Sequence, residues 1–302
     1  MANLGLSFIS PAPQVSGELF LQLARKTEEV GLHSLWINDR LAYDNFDPLA
    51  ALAAAAGATT KIQLGTCVLL LPYRRPVLLA KTRATIDFIS RGRLTLGVGN
   101  RESDYDAAGV PFEGRGARGL ESIQLMRRLW QEDSVTFVGK FFQVHDVTLG
   151  PKPYANRSIP IWMGGNADAV LERTGRFADN YICSTSAMPN FSALWQSVSK
   201  HAQTAGRDPR TIEKAGLNYL AIADSTDRAK AACVTFFERY YGKVPANIES
   251  RMIVGPPAAC AERIANAFEQ GIHTLVLGLI IPDLKQVESL ATNISPQLKG
   301  WL

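Results

Sequence analysis

Eight times along this chain a short apolar run gives way to a segment whose apolar residues recur at helical spacing, and this alternation limits the fold more than any other feature. Strand-like runs are Leu4–Ile9, stopped by Ser10-Pro11, then Ser34–Ile37, Ile62–Leu70, Leu94–Val98, Ile159–Met163, Asn180–Cys183, Leu217–Ala223 and Leu275–Ile281. Helical segments follow them. Gly17–Val30 carries Leu19, Phe20, Leu23 and Ala24 on one face and ends at Gly31, a residue suited to the left-handed helix stop. Pro76–Ser90 begins with proline, which is pre-organised for a first helical position. Between Val135 and Val147 the period switches from helical to alternating around Gly139-Lys140, so a β-hairpin is expected at about 133–150.

Eight strand–helix alternations leave a (β/α)8 TIM barrel or a large doubly wound sheet. No motif recurs at a fixed period, which argues against a solenoid. A barrel core of about 250 residues with a small β-hairpin insertion and long loops accounts for 302 residues without a second domain. The expectation is therefore an α/β chain folded as one barrel.

Composition narrows the function classes. With 32 basic and 28 acidic residues the net charge is +4, too small to imply a nucleic-acid groove or an anionic membrane surface. No apolar stretch approaches membrane-spanning length, and the N-terminus has no basic, apolar leader pattern. The four cysteines, Cys67, Cys183, Cys233 and Cys260, form no CxxC and read as reduced residues of a cytoplasmic protein. Four scattered histidines suggest no metal cluster, so no metal site is expected. HExxH, G-x-S-x-G and P-loop signatures are absent, and Gly97-Val98-Gly99 lacks the third glycine of a dinucleotide fingerprint.

In a barrel, chemistry gathers where the strands end and the βα loops converge. Those positions are Asn38, Asp39 and Arg40; Cys67 and Val68; Asn100, Arg101 and Ser103; Gly164, Gly165 and Asn166; and Ser184 with Thr185. They form a polar rim with no nucleophile–base pair, as expected where a bound cofactor supplies the chemistry. Ile161-Trp162-Met163-Gly164-Gly165-Asn166 runs a strand through two glycines into a helix, which fits either a phosphate cradle or a tight turn. Leu69–Leu71, Tyr43, Trp162 and Phe112 are candidates for an apolar substrate pocket.

Several stretches together resemble the bacterial-luciferase-like flavin oxidoreductases. They are Gly31–Trp36, Leu64–Pro72 followed by Arg75–Lys81, Ile89–Leu94 with Gly97-Val98-Gly99, Ile159–Gly165, and Val254–Pro257. The resemblance covers nearly the whole chain and implies a single luciferase-like barrel over 1–302. It implies FMN at the C-terminal rim, or a deazaflavin in some branches, and a non-prolyl cis peptide at Cys67–Val68 beneath the ring. Asn38, Thr66, Cys67, Val68, Ser103, Arg118, Gly164, Gly165 and Asn166 are then the expected cofactor-binding residues, with Gly278 a competing phosphate position. Asp39, Arg40 and Asn100 are the expected catalytic residues.

Two departures bear on activity. Many relatives carry His after the acidic residue where this chain has Arg40, and a guanidinium cannot act as a general base at working pH. Arg40 either meets an anionic group or pairs with Asp39. Some deazaflavin enzymes have Glu where Asn100 stands. The leading expectation is the oxygenase component of a two-component monooxygenase, using reduced FMN from a separate flavin reductase on a small organic substrate. The alternatives are a deazaflavin-dependent dehydrogenase or reductase, which transfers hydride without oxygen, and a non-catalytic flavin-binding barrel. Family habit also implies a homodimer.

Overall fold

The computed structural model describes residues 1–8 and 15–302. Eight parallel strands close into the expected barrel: β1 (Asn3–Phe8), β2 (Ser34–Ile37), β3 (Gln63–Leu70), β4 (Leu94–Gly99), β7 (Ile161–Gly164), β8 (Asn180–Cys183), β9 (Glu213–Ile222) and β11 (Thr274–Leu279). β1 pairs with β11 and with β2, and β8 pairs with β9, so the ring has no open edge. Helices α1 (Gly17–Glu29), α2 (Pro48–Ala58), α3 (Pro76–Ile89), α5 (Arg115–Gln131), α6 (Asp168–Phe177), α7 (Phe191–Thr204), α8 (Thr226–Tyr241) and α10 (Pro257–Glu269) surround it. The expected extension of the first strand to Ile9 and its Ser10-Pro11 stop lie outside the described residues.

Local signals explain several boundaries. Gly31 takes φ +77° at the end of α1. The Ser225 hydroxyl accepts from the Arg228 N–H and caps α8. The hairpin forms from β5 (Val135–Val138) and β6 (Gln143–Val147), paired antiparallel. One carboxylate fixes its tip: Glu121 accepts from the backbone N–H groups of Lys140, Phe141 and Phe142 at 2.9, 2.8 and 2.7 Å. A Cβ on Gly139 would sit 2.2 Å from Glu121 Oε1, so a larger residue there would have to displace the carboxylate that holds the tip.

Three short elements were not expected. The polar 100–118 loop contains a helix, α4 (Glu102–Ala107). A further turn of helix, α9 (Ile248–Arg251), leads into a ninth parallel strand, β10 (Ile253–Gly255). β9 begins four residues before the expected Leu217. Its lower half pairs with β8 over Glu213–Gly216, and its upper half pairs with β10 over Leu220–Ile222. β11 occupies the other edge of β9 through both halves. β8 and β9 therefore part toward the rim, and the segment before β10 fills in beside the opening.

The barrel interior is solid below that rim. The buried Trp36 ring lies where side chains on Gly5 and Gly65 would be, since a Cβ there would come within 2.9 Å and 2.3 Å of the indole. Trp36 meets Trp162 at a centroid distance of 4.7 Å. Each indole buries roughly 150–250 Å², worth about 4–6 kcal/mol at ~25 cal/mol per Å².

Candidate functional site

A cavity of about 560 Å³ opens at the C-terminal rim. Asn38, Asp39 and Arg40 reach it from the end of β2, Cys67 and Val68 from β3, and Asn100 from the end of β4. Gly164, Gly165 and Asn166 follow β7 on the far side. Nine of the expected site residues thus line one cavity.

Three others do not. Thr66 is fully buried and its hydroxyl donates to the Gly97 carbonyl at 2.8 Å, tying β3 to β4. Ser103 stands behind the wall, its hydroxyl donating to Asp104 at 3.2 Å. Arg118 donates to the Pro111 and Glu113 carbonyls and closes the turn before α5. Gly278 stays within β11, paired with Tyr219 and Ser7. Of the apolar candidates, Leu70 lines the cavity, whereas Trp162 lies in the barrel interior and Phe112 packs edge-on against Tyr105.

The expected alternative of an Asp39–Arg40 pair is corrected. Asp39 accepts from Arg74 Nη2 at 3.0 Å, from the Leu70 N–H at 3.1 Å and from the Tyr73 hydroxyl at 3.2 Å. Burial raises its carboxyl above the ordinary value, and the Arg74 charge offsets only part of that. Arg40 instead donates through Nε to Asp104 at 3.1 Å, with its guanidinium carbon 3.4 Å above the centre of the Tyr43 ring. Asp104 comes from α4 and also accepts from the Leu41 N–H at 2.6 Å. Adjacent residues leaving a strand point to opposite sides, so the two neighbours found different partners.

The wall around Val68 is cut back to backbone. β3 and β4 shift register between Thr66 and Leu69, and Cys67–Val68 is a cis peptide. A Cβ on Gly99 would meet Val68 Cγ2 at 2.4 Å, and one on Gly164 would meet Val68 Cγ1 at 3.3 Å. Glycines at both positions leave a smooth shelf, topped by Val68, against which a planar ring can lie. A narrow cleft continues from this shelf past Gly99, Asn100 and Gly164 to Arg115, Gly116 and Arg173. A Cβ on Gly116 would lie 2.3 Å from the Arg173 guanidinium, so glycine lets that cation approach the first turn of α5. A flat ring with an anionic tail fits this shelf and cleft. The ends of strands could be read from sequence, but Arg115 and Arg173 come from helices with no such marker.

The rest of the mouth was also missed. Tyr219 of β9 and Tyr241 at the end of α8 share a 2.7 Å hydrogen bond between their hydroxyls, and both line the cavity. Lys243 and Arg251 reach it from the segment between α8 and β10. Asn38 belongs to a closed ring of hydrogen bonds: its amide donates to Tyr240, Tyr240 donates to Asn45, and Asn45 donates back to Asn38. Arg40, Arg101, Lys243 and Arg251 make the wall cationic; among the described residues its one carboxylate, Asp39, is spoken for by Arg74. No histidine lies on that wall among the described residues. Burial pushes the Cys67 and Cys183 thiols up to about 12 and about 11, so neither is a thiolate near neutrality.

Comparison with known proteins agrees with this geometry. The family model described as luciferase-like monooxygenase matches residues 9–274. The chain is similar to F420-dependent glucose-6-phosphate dehydrogenase of Kineococcus radiotolerans, 33% identical over 85% of this chain and 78% of that protein. It is also similar to 5,10-methylenetetrahydromethanopterin reductase of Methanolobus tindarius, 26% identical over 93% of this chain and 83% of that one. The crystal structure of monooxygenase RslO1 from Streptomyces bottropensis superposes with a TM-score of 0.85 at 23% identity, covering 97% and 99% of the two chains. The chain belongs to the luciferase-like monooxygenase family, oxidoreductases on a TIM barrel that work with flavins or deazaflavins.

Proposed function

We propose that the protein is a deazaflavin-dependent oxidoreductase that moves a hydride between an F420-type cofactor and a small organic molecule. The observation that carries this reading is the likeness to an F420-dependent dehydrogenase along 85% of the chain. It reverses the order expected from sequence, where FMN and oxygen chemistry came first. A deazaflavin has carbon in place of the ring nitrogen that lets reduced flavins react with oxygen, and so supplies hydride transfer.

The residues take the following parts. Val68, with Gly99 and Gly164 beside it, backs the ring, and Gly165, Asn166, Arg115 and Arg173 hold the phosphate-bearing tail. Asp39 acts through Arg74, fixing the turn after β3 rather than moving a proton. Asn38, held by Tyr240 and Asn45, presents a fixed amide edge to the ring or substrate. Asn100 and Arg40 face the substrate space. The glucose phosphate substrate named for the relative is not carried over, because Arg40 and Asn100 stand where such enzymes place acid–base residues. The barrel and its hairpin work as one domain. Exposed Ala50, Ala54 and Gly57 on α2, beside exposed Leu78, Phe88 and Ile89 on α3, supply a face for a homodimer, which light scattering would test.

Titration of the purified protein with F420 and with FMN, read by fluorescence, tests the cofactor assignment. F420 is expected to bind at least tenfold more tightly. Preferential FMN binding, with oxygen consumption when reduced FMN is supplied by a flavin reductase, would restore the oxygenase reading. No binding of either would leave a non-catalytic barrel.

A further inference from the structure

The mouth of the cavity has two unlike sides. In the closed ring β9 lies four strands from β3 in either direction, so Leu217 and Tyr219 stand across the opening from the Val68 shelf. That far side is aromatic. The Tyr219 ring meets Phe237 edge-on at a centroid distance of 5.1 Å, and Phe237 stacks on Tyr241 at 5.5 Å. The two tyrosine hydroxyls bond each other, which fixes both rings in place. All three rings line the cavity, together with Leu217 and Met252.

Charge stands beside these rings. Arg101, from the loop after β4, holds its guanidinium carbon 5.4 Å from the centre of the Tyr241 ring. Lys243 and Arg251 reach the same cavity from the segment after α8. All three are exposed, and none forms an ion pair among the described residues. Arg40, by contrast, is already paired with Asp104, and the carboxylate of Asp39 with Arg74. A concave surface lined by one sign of charge draws in ions of the other sign, and its apolar walls strengthen the pull. The cleft that suits an anionic cofactor tail has its own cations, Arg115 and Arg173. Arg101, Lys243 and Arg251 are therefore left to face the substrate.

We propose that the substrate is a ring-bearing organic acid, its ring held against the wall of Tyr219, Phe237 and Tyr241 and its carboxylate met by Arg101, Lys243 and Arg251 at the mouth. This names the substrate class of the hydride transfer proposed above and rests on that reading. The two halves of such a molecule match the two halves of the mouth. Aromatic side chains take another ring edge-on or offset, and a guanidinium fork matches a carboxylate in shape as well as charge. A sugar phosphate satisfies only the cations: its hydroxyls need acceptors, and this side turns rings toward them, with its two tyrosine hydroxyls already engaged. A neutral aromatic alcohol satisfies only the rings.

Calorimetric titration of the F420-loaded protein with 3-phenylpropionate tests this against three molecules that each lack a part: 3-phenyl-1-propanol, propionate and glucose 6-phosphate. The aromatic acid is expected to bind about tenfold more tightly than each of them. Its advantage over the alcohol should shrink as salt is raised. Lys243→Gln/Arg251→Gln changes two exposed side chains, so packing stays intact. It should bring the acid down to the affinity of the alcohol, with alcohol and F420 binding unchanged. Tyr241→Leu should weaken acid and alcohol together, by about fivefold. A wild-type protein that binds the alcohol or glucose 6-phosphate as tightly as the acid, or binds none of the four, overturns the proposal. So does an acid affinity untouched by both variants. A double variant that loses F420 yet keeps its preference for the acid also overturns it, because the cations would then serve the cofactor tail. Failure of the wild type to bind F420 overturns the cofactor reading instead, and titration of the cofactor-free protein then still shows whether acid outbinds alcohol.

Discussion

Two buried arginines at opposite ends of the barrel show how differently the same side chain can be satisfied. Arg93, just before β4 at the lower end, is 7% exposed and spends every N–H: it donates to Ser90, Thr59 twice, Ile62 and Ala56 at 2.7–3.1 Å. Arg40, at the upper end, is about as buried but has an N–H with no partner. The lower arginine joins α2 to the entries of β3 and β4 through carbonyls that would otherwise be orphaned. Arg93 is a saturated strut, whereas Arg40 is held through Nε and its stacked face and leaves part of its fork unpartnered.

The largest expected effect attacks the lower end. Arg93→Ala strands buried carbonyls and should cost about 3–4 kcal/mol, a fall of roughly 10 °C in melting temperature, while F420 affinity in the surviving folded fraction stays the same. A variant that melts like wild type would erase the contrast. Next, Gly97→Ala places a Cβ 2.0 Å from the Thr66 carbonyl, where backbone must move. It should cost about 2–3 kcal/mol and, unlike Arg93→Ala, also weaken F420 binding in the same titration. At the upper cleft, Arg173→Met is expected to lower F420 affinity about tenfold, by removing the proposed charge-assisted contact to the tail, worth ~1.5 kcal/mol, with little change in melting.

The smallest effect sharpens the account of the lower end by pH. Burial disfavours the Glu28 charge, but hydrogen bonds from the Lys61, Ile62 and Thr60 backbone outweigh it and lower its pKa below 4.5. Because the folded value is depressed, its contribution is complete above pH 4.5 and is lost as pH falls through the folded value. Glu28→Gln should cost below ~1 kcal/mol at neutral pH, since the group is partly solvated, and should flatten the acid limb of a stability–pH curve. An unchanged acid limb would show that another carboxylate governs it.

The barrel was legible because buried parallel strands are short apolar runs and their helices keep a periodic face, as Ser34–Ile37, Asp168–Phe177 and Asn180–Cys183 illustrate. The short elements were not. Ile253–Gly255 is too brief to show a period, and α4 is a single polar turn and a half whose purpose is to deliver Asp104. Half of the site could be read because strand ends are predictable places. Tyr241, Lys243 and Arg251 reach the cavity, and Arg115 and Arg173 the cleft beside it, only through tertiary packing, which no local spacing encodes. Asp39 and Arg40 failed as a pair because adjacency in sequence is not adjacency in space.

The tilted indole pair beneath the rim has a practical consequence. Trp36 and Trp162 share one buried cluster with Cys67, Val68 and Ile182, the last three of which line the cavity. Any chromophore seated on that shelf sits within a few atomic layers of two emitters shielded from solvent. The protein thus carries its own optical gauge: excitation of tryptophan should hand energy to an occupant that absorbs in the near ultraviolet or blue, and the dimming of that emission counts filled sites without any attached label.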